Sequence, residues 1–213
     1  MNTSISRIVL RCFWSLSLAW GFVIPVAAVG ERLTVEETDA LVMIARGRAP
    51  ALTDHTALVP APQGVSSSGF IHSLHAPNGG VVTSIHAKDH YHHMGLWHAW
   101  VHTTLRGREL DFWNVKKGEA TVRFAGRVVL GEGKDRVGFT AYQEQVALAH
   151  DDEPEEVVLA ERLTVWVHDD ESAQVIDYEI EQTNVTDVAL ELPAYRYGGG
   201  IAYRAPENWG GVK

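Results

Sequence analysis

Leu163-Thr-Val-Trp-Val-His168 and Val175-Ile-Asp-Tyr-Glu-Ile-Glu181 alternate between residues of one parity that are apolar and residues of the other that are polar. Successive side chains of a strand point to opposite faces, so a period of two predicts strands with one face on a core and one in water. Working outward, comparable runs occupy Glu119 to Leu130, Val137 to Leu148, Val157 to His168 and Ala173 to Asn184. Gly131-Glu-Gly-Lys-Asp135, the acidic run Asp151 to Glu156 and Asp169-Asp-Glu171 punctuate them. Short strands at such regular spacing predict an all-β fold, an antiparallel β-sandwich or barrel with one wet face.

Upstream, Pro77-Asn-Gly-Gly80 reads as a turn joining Phe70–Leu74 to Val81–His86 in a hairpin. Leu41 to Ala45 and Ala51 to Thr53, turning at Arg46-Gly47-Arg48, predict another. Thr34-Val-Glu-Glu37 offers the competing signature of a capping box that would open a helix through Ile44. The β-rich Leu41-Val-Met-Ile44 favours the strands. Pro60 to Gly69 reads as loop, so residues 29–69 form N-terminal strands and a loop ahead of a sandwich domain at 70–213. A glycine-flanked strand, Gly198 to Arg204, runs into the end of the chain and would leave an exposed edge, which predicts a C-terminal truncation.

Composition narrows the class. The 213 residues are 46 % apolar and 21 % charged, an ordinary balance for one globular domain. Arg7 and Arg11 precede an apolar run from Cys12 that ends in Val26-Ala27-Ala28. That pattern predicts a signal peptide over residues 1–28 and an exported, periplasmic or extracellular protein. Cleavage would remove Cys12, the one cysteine, leaving no thiolate for nucleophilic or metal chemistry. It would also remove two arginines from a chain whose net charge is already −9, which argues against nucleic acid as a partner. No later segment is apolar enough to span a membrane as a helix.

Eight of the eleven histidines fall between His72 and His102, a density that marks the candidate site. At its centre stands Asp89-His90-Tyr91-His92-His93-Met94-Gly95-Leu96-Trp97-His98. In an extended chain His90 and His92 share one face while Asp89, Tyr91 and His93 share the other. His90 and His92 could bite one divalent metal ion, with His86 or His98 as a third ligand. Alternatively His92 or His93, beside Asp89, serves as a general acid or base near neutral pH. Trp97, Trp100 and Trp113 offer flat faces to a sugar ring, and Arg196, Arg204 and Asn114 offer contacts to its hydroxyls. Asp111-Phe112-Trp113 reads equally as a strand end carrying a site aspartate or as core.

Pro77-Asn-Gly-Gly80, Asp89-His-Tyr-His-His-Met-Gly-Leu-Trp97, Asp111-Phe-Trp113 and Tyr197-Gly-Gly199 with Arg204 form a pattern. The pattern resembles the bacterial family labelled "methane oxygenase PmoA", from about residue 70 to the end. The label does not carry an activity here, because the methane monooxygenase membrane subunit is built of transmembrane helices and this chain of amphipathic strands. What the resemblance implies is a supersandwich similar to galactose mutarotase, a fold also used by sugar epimerases and polysaccharide lyases. Members of that family run longer than this chain, and His98 stands where they more usually have an aromatic or small residue.

Three expectations follow. The first is an exported lyase, epimerase or hydrolase acting on a sugar or glycoside, with His92 or His93 as acid–base group and Asp89 as its partner. Trp97, Asp111, Trp113 and Arg204 would contact the substrate. The second is a cupin-like metal enzyme on His90 and His92, although Gly95 to Trp100 lacks the glutamate that cupins place after their His-x-His pair. The third is a sugar-binding module without catalysis.

Overall fold

The computed structural model describes residues 31–60, 62, 66–170, 172–195 and 200–209. The signal-peptide reading, Arg196 and the Tyr197-Gly-Gly199 run lie outside them. From its N-terminal end, β1 (Leu33–Glu37), β2 (Leu41–Arg46) and β3 (Ala49–His55) form an antiparallel meander. The β2–β3 turn falls at Gly47-Arg48, and Gly47 takes a φ of 56°. A two-residue ribbon, β4 (Val59–Pro60) with β5 (Ser66–Ser67), precedes β6 (Phe70–Leu74), which returns beside β3. The site segment then supplies β7 (Ile85–Ala87), β8 (His90–Met94) and β9 (Leu96–His98). A short ribbon of β10 (Thr103–Leu105) and β11 (Arg108–Leu110) follows. The longest elements are β12 (Ala120–Glu132), β13 (Arg136–Ala147), β14 (Glu156–His168) and β15 (Ile176–Asn184), and β16 (Ile201–Tyr203) comes last.

These strands build a six-stranded sheet in the order β1-β2-β3-β6-β9-β16 and a four-stranded sheet in the order β12-β13-β14-β15. All pairs are antiparallel, in a sandwich-like arrangement. Along β14 every second residue turns inward, from Leu159 through Leu163 and Val165 to Val167. Leu163, Val165 and Val167 meet Val42, Ile44, Leu52 and Ile71 of the opposite sheet in one apolar cluster. Each such fully buried side chain contributes about 1.5–3 kcal/mol relative to leaving it in water. A second cluster, including Phe70, Met94, Trp97, Leu110, Phe112, Val122 and Leu159, lies beneath the histidine segment.

The strands expected at Leu41–Ala45 and Ala51–Thr53, in preference to a helix opening at Thr34, are β2 and β3, and Thr34 to Glu37 is itself strand, pairing as β1 with β2. β1 to β3 belong to the same sheet as β6. One sequence expectation changes. The hairpin at Pro77-Gly80 closes through Ala76 and Gly80, but its second arm keeps only a His75–Val81 bridge and one bond from Val82 to Leu74. The chain then leaves β6, and β7 pairs with β8 instead.

Candidate functional site

The pairing of β7 with β8 slips between Ile85 and Ala87, and His86 at the slip has a φ of 56°. Such a bulge raises the local twist and re-aims side chains. The result overturns the two-face division expected of a regular strand. The ring of His90 lies 4.5 Å from that of His93 and 5.6 Å from that of His92, and His92 and His93 are 4.8 Å apart. All three imidazoles form one cluster.

Arg204, just past β16, ties this cluster together. Its amide donates to the Gly95 carbonyl at 2.7 Å, and its own carbonyl accepts from Ser84 at 2.9 Å. The guanidinium donates to Asp89 Oδ1 at 2.8 Å and to His93 Nδ1 at 3.2 Å. Asp89 Oδ2 stands 2.9 Å from His90 Nδ1. The hydrogen bond from His90, more than the nearby Arg204 charge, holds the Asp89 carboxyl below its ordinary range.

Partial burial, with the neighbouring imidazoles and then Arg204, pushes His93 down to about 4. Burial, His90 and Lys116 push His92 down to about 4 as well. Both rings are therefore neutral at pH 7. Because Arg204 donates to Nδ1 of His93, the proton of that ring is assigned to Nε2. No described hydrogen bond engages His92, which leaves it a lone pair for accepting a proton.

The other expected contacts are redistributed. Trp97 is 6 % exposed and supports His93 from below at 5.3 Å, so its face is given to the core. Trp113 packs on Trp97 at 4.8 Å and meets His93 edge-on at 6.2 Å. Asp111 is 2 % exposed, and its carboxylate accepts from the amides of Trp113 and Asn114, the Asn114 side chain and Lys117. It holds a turn and engages the backbone and side-chain amides of Asn114. Trp100 donates to Gln182 at 2.8 Å. His86 lies at the bulge with a buried Nε2 that has no hydrogen-bond partner among the described residues.

Two features had no clear forecast. An open groove of about 550 Å³ runs beside the Asp89–Arg204 pair, lined by Lys88, Ala205, Pro206, Glu207 and Trp209. Trp209 is 58 % exposed there and offers the flat aromatic face that Trp97 does not. Its position in a single 3₁₀ turn, Glu207–Trp209, after β16 gave no periodic signal. A second, small cavity of about 10 Å³ lies between His92, Trp97, His98 and Trp113.

The family model described as "Family of unknown function (DUF6807)" matches residues 44–213. The chain belongs to that family. No curated protein and no solved structure matches the chain. The DUF6807 match spans β8, β9 and Arg204, so the whole histidine cluster and its arginine fall inside it. Among the described residues of this DUF6807 chain, no three or more His, Cys, Asp or Glu side chains are disposed to hold a metal ion. His90 and His92 thus have no third ligand among the described residues, and His90 Nδ1 lies 2.9 Å from Asp89 Oδ2. Among the described residues no helix is long and apolar enough to cross a membrane.

Proposed function

We propose that this DUF6807 member is an exported carbohydrate-active protein, a lyase, epimerase or hydrolase working by proton transfer on a sugar or glycoside. The observation that carries the reading is His92: a neutral imidazole set against His90 and His93, with no hydrogen-bond partner among the described residues. A base with a free lone pair at pH 7 can take a proton from carbon-bound or oxygen-bound hydrogen, and the three reaction classes share that step. His93 is the positioning neighbour, held by Arg204, and Asp89 joins Arg204 to His90. The groove with Trp209, Arg204, Lys88 and Glu207 suits a polyol, which stacks its ring on an indole and offers hydroxyls to charged groups. The resemblance to the PmoA-labelled family, and through it to mutarotase-like sandwiches, supports sugars by fold analogy.

The test is incubation of the purified protein with a panel of free sugars, glycosides and polysaccharides, read by NMR of the products. At least one class is expected to be epimerised, cleaved or eliminated. A panel left unchanged, with no binding to any member, contradicts the proposal.

A further inference from the structure

The turn Pro77-Asn-Gly-Gly80 is tied down by its own backbone. Ala76 donates to the Gly80 carbonyl at 2.8 Å, Gly79 donates to the Ala76 carbonyl at 2.8 Å, and the Gly80 amide donates to Asn78 Oδ1 at 3.0 Å. Gly79 has a φ of 82°, which glycine adopts without strain, and a Cβ there would meet nothing within 4 Å. The turn so fixed sets the Gly79 carbonyl oxygen 3.1 Å from Nδ1 of His75. His75 follows β6 directly, is 9 % exposed, and donates its amide to the Ala51 carbonyl of β3 at 2.9 Å. On the other side of the same ring, Nε2 lies 2.6 Å from Oγ of the half-buried Ser73 near the end of β6.

A carbonyl oxygen only accepts, so the neutral imidazole of His75 carries its proton on Nδ1 and its lone pair on Nε2. The Ser73 hydroxyl is then the donor in the 2.6 Å contact. A hydroxyl that gives its proton to an imidazole, whose other nitrogen is held by an acceptor, is the arrangement of an activated nucleophile. Ser73 also keeps part of its surface in solvent. We propose that Ser73 and His75 form a nucleophile–base pair that hydrolyses a carboxylic ester, with the Gly79 carbonyl in the orienting place that a carboxylate takes in a triad. Oγ bonds to the ester carbonyl carbon as its proton passes to Nε2. The bond from that carbon to the alcohol oxygen then breaks, and the alcohol leaves with the proton. Water attacks the acyl-serine in turn, gives a proton to Nε2, and the acid departs as Oγ takes that proton back. Gly79 is a positioning residue, acting through His75. The pair is distinct from the His92 cluster and does not rest on the carbohydrate reading.

Diisopropyl fluorophosphate, incubated with the whole wild-type protein and followed by peptide mass mapping, is expected to leave a phosphoryl adduct on Ser73. Labelling is expected to be at least about 100-fold slower in His75→Gln, as loss of a general base requires. p-Nitrophenyl acetate is expected to acetylate the same oxygen in the wild type. No adduct on Ser73 from either reagent overturns the pair, and so does an unchanged labelling rate in His75→Gln. Long-range ¹H–¹⁵N correlation reads the His75 tautomer without any variant or substrate: Nδ1–H is expected, and Nε2–H overturns the orienting role of Gly79 and the pair with it. An unlabelled Ser73 leaves the carbohydrate proposal standing, and a labelled Ser73 supports the pair whatever the saccharide panel gives.

Discussion

Asp54 lies on β3 with 0 % exposure, and neither carboxylate oxygen has a hydrogen-bond partner among the described residues. Burial alone pushes it up to about 8 from an ordinary 3.8. The folded state therefore keeps a proton that the unfolded chain has released, and stability falls as pH rises through that window. His92 and His93 act in the opposite direction. Their folded values of about 4 lie below the ordinary 6.5, so the unfolded chain binds more protons between the two, and stability falls as pH drops from 6.5 toward 4. Of these three groups only Asp54 contributes between about pH 6.5 and 8. Thermal unfolding in that interval is expected to show wild-type Tm declining with pH and the Asp54→Asn profile flatter. Parallel profiles would contradict the burial argument. The acid limb below 6.5 is expected to shrink in the double variant His92→Gln, His93→Gln.

Between β8 and β9 the chain turns at Gly95, and this one position links the histidine strand to the arginine. Its φ is 70°, and a Cβ there would collide with the Ile71 carbonyl oxygen. Its own carbonyl holds the Arg204 amide. Gly95→Ala is expected to cost about 2 kcal/mol or more in chemical denaturation, from backbone strain and overpacking together. The same variant should loosen the Arg204–His93 contact. The long strands were legible because alternation survives along them: the runs from Glu119 to Leu130 and Val157 to His168 match β12 and β14 closely. The short strands around the site were less so. A five-residue strand with a bulge does not keep its faces apart, and period two therefore misplaced His93 relative to His90. One signal was present and unused. Gln143, Glu161 and Gln182 each occupy the parity of apolar neighbours, such as Leu163, Val165 and Ile180, and a polar residue at an inward position marks a buried network.

At the scale of the whole molecule, the sandwich brings residues far apart in sequence into one site. β16 pairs with β9, so Arg204 reaches Asp89 and His93, and the groove with Trp209 opens beside them. No local pattern around residue 90 carries that long-range pairing, which is why the histidines and Arg204 could be named as candidates but not joined. Burial likewise decides between aromatic residues that composition treats alike, giving Trp97 to the core and Trp209 to solvent. Trp209→Ala is expected to raise the Kd of a bound saccharide about tenfold, equivalent to about 1.4 kcal/mol, in a fluorescence titration. Unchanged affinity would remove Trp209 from the site. The central claim is that the neutral His92, without a hydrogen-bond partner among the described residues, moves the proton while His93 positions it. Measured as kcat on a saccharide from the panel, His92→Ala is expected to lose at least 100-fold, as removal of a general base does, and His93→Ala to lose less. Full turnover retained by both variants would contradict the account.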